Sequence, residues 1–112
     1  MKIAIPVTGG RISAHFGHCE EFVVFDVDTE GKKITSQQSS IPPAHEPGAL
    51  PKWLSELQVD LVIAGGMGQR AQQLFAQNNI DLVIGVMDNT PEELIEQYMD
   101  NRLQSGRNIC DH

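Results

Sequence analysis

The chain is poor in cysteine, in aromatic residues and in positive charge. It has 2 cysteines among 112 residues, 5% aromatic residues, and 8 lysines and arginines against 15 acidic residues, for a formal net charge of −7. An acidic surface repels phosphate groups, so the composition argues against a general nucleic-acid-binding protein. Two cysteines far apart, with no CxxC pair, also argue against a structural disulfide in a reducing compartment and against a closed zinc site.

Long hydrophobic runs are missing as well. The sequence contains no stretch of about 18 apolar residues, which is the length needed for a transmembrane helix. The apolar run at the N-terminus ends at Gly9, too early for the hydrophobic core of a signal peptide. These features predict a cytoplasmic protein. The length and the 40% of hydrophobic residues predict one folded domain, residues 1–112.

The hydrophobic pattern alternates between strand-like and helix-like segments. It predicts strands at 2–7, 22–27, 33–40, 61–64 and 82–86, and helices at 49–57, 69–77 and from 91 to about 103. Residues 11–19 are expected to be a loop. The early hairpin indicates antiparallel pairing, whereas the later strand–helix–strand segments indicate parallel pairing. The sequence therefore predicts a mixed sheet covered by helices.

Candidate metal ligands are concentrated in a loop and at the chain end. His15, His18 and Cys19 fall within one short loop, and Cys110 and His112 lie at the end of the chain. Imidazole and thiolate groups bind zinc, iron and copper, and thiolate especially suits Cu(I) and iron–sulfur centres. Two simpler interpretations remain open: a histidine that caps a backbone carbonyl with a cysteine in the core, and an unstructured polar tail.

A fourth histidine, His45, lies in a proline-rich loop, PPAHEPG. All four histidines and both cysteines thus lie outside the predicted helices and strands. Loops on a rigid scaffold are where binding groups commonly lie. This distribution favours a binding site with His45 among its candidate metal ligands, although His45 taken alone is explained equally simply as a surface histidine. The absence of a CxxC pair favours an open, exchangeable metal site over a closed zinc site.

A glycine-rich turn joins a predicted strand to a predicted helix. It contains Gly65, Gly66, Met67 and Gly68, with Arg70 in the first turn of the helix. Backbone N–H groups at a helix N-terminus can bind an anion, whether phosphate or a sulfide-rich cluster. The turn is neither a Walker loop nor a GxGxxG motif. Close packing of the helix on the strand would also explain the glycines, and Met67 is expected to pack rather than to offer its thioether.

Five segments of the chain and its end resemble the dinitrogenase iron–molybdenum cofactor biosynthesis family. They are MKIAIPV, ISAHFGHCEEFVVFDVD, PGALPKWL, DLVIAGGMGQRA, PEELIEQYM and the terminal CDH. The resemblance implies a ribonuclease-H-like three-layer α/β fold with a mixed sheet of about five strands and three helices. It also implies a carrier or scaffold for a metal–sulfur cluster, either an iron–molybdenum cofactor precursor or a molybdenum–copper sulfide cluster.

Particular residues can be matched to this family by position. His15, Phe16 and Gly17 match its loop after the first strand, and the three glycines from Gly65 to Gly68 match its glycine turn. Ribonuclease-H-type nucleases hold two metals with carboxylates on the first strand. Residues 3–7 contain no acid, so the resemblance in fold does not extend to nuclease activity.

The leading hypothesis is a binding or carrier protein for a metal–sulfur cluster that catalyses nothing by itself. The cofactor site would contain His15, Phe16, Gly17, Gly65, Gly66, Met67, Gly68 and Arg70, and the metal ligands would come from His15, His18, Cys19, His45, Cys110 and His112. Its partners would be proteins that donate or accept the cluster, and the chain itself would be a monomer or a weak homodimer. Two alternatives are a metal-free regulatory or interaction module and a small enzyme that holds a phosphorylated substrate at the glycine turn.

Overall fold

A computed structural model describes residues 1–13, 16, 19–43 and 48–103 of the chain. In these ranges the backbone forms six strands and three helices. In chain order they are β1 (Lys2–Thr8), β2 (Arg11–Ile12), β3 (Glu21–Asp28), β4 (Lys33–Ser40), α1 (Ala49–Glu56), β5 (Leu61–Ala64), α2 (Gln69–Gln77), β6 (Asp81–Ile84) and α3 (Pro91–Met99).

The strands form one mixed sheet in the order β4–β3–β1–β5–β6. β1, β5 and β6 are parallel, whereas β3 is antiparallel to both β1 and β4. The predicted mixed sheet with three helices is therefore confirmed. Within the described ranges the sheet has one strand more than predicted, because Arg11 and Ile12 turn back to pair with Thr8 and Val7. Two residues are too few for a hydrophobic period to indicate a strand.

Helices cover both faces of the sheet and make the fold three-layered. On one face, α1 and α2 bury Leu54 and Phe75 against the sheet, and on the other face α3 buries Leu94 and Ile95. β5 is buried at all four positions, as expected for a parallel strand that is covered on both sides. No helix in the described part of the chain has the length and apolarity needed to cross a membrane.

Pro6 limits the pairing between β1 and β5. The backbone oxygen of Lys2 accepts a hydrogen bond from Asp60 N, so the even-numbered residues of β1 face β5. Pro6 faces the same way and has no N–H to donate. The register between the two strands accordingly covers only Ile3 and Ala4, while β5 and β6 pair over four residues. The two strands therefore separate toward the edge where their loops leave the sheet.

All three helices end at a residue with a left-handed backbone conformation. These residues are Gln58 (φ 65°), Asn79 (φ 60°) and Asn101 (φ 58°). At the end of α3, Asn101 N donates to Tyr98 O and Arg102 N donates to Gln97 O, the bond pattern of a Schellman motif. The predicted extension of α3 to about 103 is therefore wrong, because the chain reverses after Met99.

The predicted boundaries of β6 were also shifted. The strand ends at Ile84 instead of 86, because Gly85 takes up φ 82° and turns the chain away from the sheet. Without a side chain, glycine adopts such a backbone conformation at little cost.

Gln58→Gly is expected to stabilise the protein by about 1 kcal/mol, because glycine avoids the steric cost of a left-handed backbone conformation. Gln73→Gly is the matched control, since Gln73 is exposed in the middle of α2. That substitution should destabilise the protein by about 1 kcal/mol. The measurement is urea unfolding at equilibrium, and a loss of stability in Gln58→Gly would contradict the role of this residue.

Candidate functional site

Three connecting segments meet at the carboxyl edge of the parallel strands. They are the described residues of the segment after β1 (9–13, 16 and 19), residues 65–68 after β5 and residues 85–90 after β6. Gly85 N donates to Gly65 O at 3.1 Å, and Ile12 N donates to Asn89 O at 3.0 Å, so each segment is tied to another. In open α/β sheets, ligands bind outside this edge, where neighbouring connections leave in different directions.

Phe16 anchors the first segment to the core. Its ring is 6% exposed and lies nearly perpendicular to the rings of Phe22 and Phe75, with centroids 5.6 and 5.2 Å away. Phe16 N donates a 3.1 Å hydrogen bond to Gly66 O. Phe16 is thereby held against the glycine turn. The sequence analysis placed Phe16 among the cofactor-binding residues, and its side chain is occupied in the core.

The glycine turn combines a buried half with an exposed half. Gly65, Gly66 and Met67 are buried, with Met67 only 1% exposed. Gly68 and Arg70 are exposed at the start of α2. The amide of Gln72 donates to Met67 O at 2.9 Å and fixes the turn to the helix. Met67 therefore packs, as the sequence analysis expected, and its neighbour Gly68 presents the helix start to solvent.

The N-termini of α2 and α3 differ in their N-cap side chains and in the acidic residues of their first turns. Thr90 caps α3 by accepting a hydrogen bond from Glu93 N, and Glu92 and Glu93 add negative charge to its first turn. Gly68 is the N-cap of α2 and has no side chain to cap it, and the first turn of α2 has no acid. The start of α2 therefore carries less negative charge than the start of α3.

Several positioning residues at this edge were missed in the sequence analysis. Arg11 Nε lies 3.0 Å from Asp88 Oδ1 and links β2 to the segment after β6. Gly9 N donates to Glu20 Oε1 at 2.7 Å, which closes the base of the first segment. Arg11 and Asp88 are 77 residues apart in sequence, and Gly9 and Glu20 are 11 apart, so no local pattern could have indicated either pair.

Cys19 ends the first segment as a half-buried free thiol that packs beside the core cluster under α1 and α2. Burial raises the pKa of this thiol from 9.0 to about 11, although backbone hydrogen bonds of Cys19 and Val7 lower it in part. A metal that binds this sulfur must displace the thiol proton, and the raised pKa makes that proton harder to remove than from an exposed cysteine. Metal affinity at Cys19 should accordingly increase with pH.

Of the six candidate metal ligands, only Cys19 is among the described residues; His15, His18, His45, Cys110 and His112 lie outside them, as does Gly17. Within the described ranges, no three His, Cys, Asp or Glu side chains are grouped so as to hold a metal ion. The ligand set from the sequence therefore stays a prediction. What the described residues do bring together is Phe16, the glycine turn and the open start of α2.

The fold defines a class: a small three-layer α/β protein with a mixed sheet. Residues 1–101 match the family model described as dinitrogenase iron-molybdenum cofactor. The chain belongs to this family, as the sequence analysis expected.

Individual proteins are similar over nearly the whole chain. An uncharacterized protein of Methanocaldococcus jannaschii is 28% identical over 108 residues, which is 93% of this chain and 90% of that protein. The crystal structure of the protein PH0822 has a TM-score of 0.85 and 27% identity and covers 94% of each chain. The apo form of the orange protein from Desulfovibrio gigas has a TM-score of 0.78 and 18% identity, covering 96% of this chain and 93% of that one, and shares the fold.

The raised pKa of Cys19 predicts slow alkylation of the metal-free protein. In a Cys110→Ser background, iodoacetamide should react at pH 8 about 100-fold more slowly than with the same chain in urea, because the thiolate is the reactive form. The rate should rise with pH up to about 11. Since the folded state binds the proton more tightly, the contribution of Cys19 to stability is complete below pH 9.0 and is lost as the pH rises through about 11. Equal rates in the folded and unfolded chain would contradict this environment.

Proposed function

We propose that this protein binds and carries a metal–sulfur cluster, as an iron–molybdenum cofactor precursor or a molybdenum–copper sulfide cluster, and has no catalytic activity of its own. The observation that carries the proposal is the meeting of Phe16 with the start of α2, whose N-cap Gly68 has no side chain. The backbone hydrogen bond from Phe16 to Gly66 joins them. Membership in the dinitrogenase iron-molybdenum cofactor family supports the same cargo.

Electrostatics favour an anionic cargo at this position. Metal–sulfide clusters and thiometallates carry negative charge, and the first turn of α2 offers backbone N–H groups and the guanidinium of Arg70 without an acid of its own. The chain as a whole has a net charge of −7, so an anion would be repelled from most of its surface. The start of α2, which has Arg70 and no acid in its first turn, is thus better suited to an anion than the acidic protein as a whole.

Gly68 is suited to close approach of a ligand. Its φ of −68° is accessible to any residue, and a Cβ added there would lie more than 4 Å from every neighbouring atom among the described residues. Neither backbone strain nor packing therefore requires glycine. Its lack of a side chain leaves the N–H groups of the helix start accessible to a bulky inorganic ligand.

Soft ligands would come from the loop that Phe16 anchors. Cys19 offers sulfur, and the adjacent His15 and His18 would complete the set. Cys110 and His112 would add further ligands from the chain end. Leu103, the last described residue, lines a cavity of about 340 Å³ together with Val86 and Met87 of the segment after β6.

A carrier has to exchange its cargo with other proteins. We therefore propose cluster donor and acceptor proteins in the cytoplasm as the partners of this chain. The open position of Gly68 and Arg70 at the surface suits direct transfer, because an incoming ligand would reach the helix start without a rearrangement of the core. His45, which precedes α1 in sequence, would be a further metal ligand.

Gly68→Asp should increase stability but weaken cargo binding. An aspartate at this N-cap position satisfies backbone N–H groups and adds up to about 1 kcal/mol to the stability, but it places a negative charge where the anion binds. We expect the affinity for tetrathiomolybdate, followed by absorption, to fall about tenfold or more. Gly68→Asn is the matched control, since it caps equally well without the charge and should bind far more tightly than Gly68→Asp. Equal affinities of the two variants would contradict an anion site at α2.

The ligand assignment is tested by anaerobic reconstitution with iron, molybdate and sulfide, or with tetrathiomolybdate and Cu(I). The wild-type chain should take up metal and sulfide near stoichiometrically with a visible absorption band. A His18→Ala, Cys19→Ala double variant should lose most of this uptake, whereas Ile41→Ala, a change at an 82% exposed position, should retain it.

The outcomes separate the proposal from its alternatives. Full cluster occupancy in the double variant would mean that the metal ligands lie elsewhere. A wild-type chain that stays colourless and metal-free would favour the metal-free interaction module. Thermal stabilisation by nucleotides or phosphorylated compounds, with no response to thiometallates, would favour the small enzyme.

A further inference from the structure

The connections after β5 and β6 start side by side and then diverge. Gly85 N donates to Gly65 O at 3.1 Å, so the two connections are joined at the sheet. Residues 65–68 lead to α2, which packs on one face of the sheet, whereas residues 85–90 lead to α3 on the opposite face. In open α/β sheets, ligands bind in the crevice that such a divergence creates. Residues 66–68 and 87–89 therefore lie on the two sides of this position.

The segment 87–89 is anchored at both ends but not in its middle. Before it, Val86 is 6% exposed and belongs to the core cluster under α3, and after it, Pro91 is buried. None of residues 87–89 is buried, and Met87 is 80% exposed. These residues belong to neither a helix nor a strand. The segment can therefore move without taking a side chain out of the core.

Residues of β2 hold this segment on the side of β1. Arg11 Nε lies 3.0 Å from Asp88 Oδ1, and Arg11 Nη2 donates to Asp88 O at 3.5 Å. Ile12 N donates to Asn89 O at 3.0 Å. β2 itself is fixed, because it pairs with β1 and buries Ile12 in the core. β2 is thus a rigid support, and the segment 87–89 is the part that can leave it.

The ion pair in this contact is weak. The side chains of Arg11 and Asp88 are 52% and 71% exposed, so water and salt screen their attraction. Exposed ion pairs of this kind contribute little to stability. The backbone hydrogen bond from Ile12 to Asn89 lies next to the pair, so loss of the pair should make this bond open more often. The contact can therefore break and form again without unfolding of the sheet.

A cavity between the segment and α3 gives the segment space to move. Its volume is about 340 Å³, and residues 87–89 line it together with Leu94, Gln97 and Leu103 of α3 and the chain after it. Neither residue of β2 lines this cavity, so it lies on the side of the segment away from β2. A displacement of residues 87–89 into the cavity would widen the position between the two diverging connections.

We infer that residues 87–89 are a gate at the carboxyl edge, which the pair of Arg11 and Asp88 holds closed and which opens toward α3. Opening lets an anionic ligand enter or leave the position between the two connections. The ligand is the cargo of the proposed function, and this part of the inference rests on that function. Because the ion pair is exposed, salt weakens it, and exchange of the ligand should accelerate with ionic strength.

Hydrogen exchange of the Ile12 amide, measured by NMR on the metal-free chain, reports on the gate because this amide donates to Asn89 O. Asp88→Ala removes the ion pair and should speed the exchange of Ile12 about two- to fivefold, the range expected for an exposed pair. High salt should speed it in the wild-type chain and have little effect in Asp88→Ala. The Val27 amide, which is bonded within the sheet, should exchange at the same rate in both chains.

Asp100→Ala is the matched control. It removes the carboxylate of another exposed pair, in which Arg102 Nη2 lies 3.2 Å from Asp100 Oδ2, with the same change of charge at the end of α3. This variant should leave the exchange of Ile12 unchanged. Tetrathiomolybdate should bind to and leave Asp88→Ala about two- to fivefold faster than Asp100→Ala. The Kd should differ less than either rate, because a gate acts on the path of the ligand and not on the bound state.

The expected result is faster Ile12 exchange together with faster binding and release in Asp88→Ala but not in Asp100→Ala. Equal Ile12 exchange in the two variants would overturn the gate. So would faster Ile12 exchange with no change in the rates of binding and release. A chain that binds no tetrathiomolybdate would overturn the proposed function and with it the control of ligand exchange, whereas the exchange of Ile12 decides independently whether the segment opens.

Discussion

Parallel pairing of β5 between β1 and β6 is the constraint on which the rest of the structure depends. Because parallel strands end at the same edge, this pairing brings Phe16, residues 65–68 and residues 85–90 together although they are separated in sequence. Pro6 contributes by ending the hydrogen bonds between β1 and β5 early. The separation of the two strands makes room for the loops that meet there.

The starts of α2 and α3 differ in capping and in charge. Thr90 and two glutamates balance the start of α3, which therefore serves the fold. The start of α2 has a glycine cap and no acid, and it lies next to the loop that Phe16 fixes to the core. The buried ring of Phe16 and its backbone hydrogen bond to Gly66 thus fix this position of the chain beside the start of α2. In the proposed carrier, the anion would have a fixed position that is accessible from solvent.

Much of the fold could be predicted from local patterns. β5 and α2 have the predicted boundaries because a short apolar run and an amphipathic period are strong local signals. β2 was missed because its pairing with β1 depends on a turn at Gly9 and Gly10 and not on its two residues. The predicted end of α3 was too late, since the hydrophobic period continues to Leu103 while Asn101 takes up a left-handed conformation. Propensity says little about such single-residue reversals.

The sequence by itself determined the class of fold, the family and the kinds of ligand that the loops can offer, because periodicity, glycine turns and ligand-type side chains are local properties of the chain. Only the tertiary structure decided that Phe16 faces the core, that burial raises the pKa of Cys19, and that Arg11 pairs with Asp88. Burial, desolvation and contacts between distant residues arise only when the strands pack side by side. These quantities therefore cannot be inferred from local sequence alone.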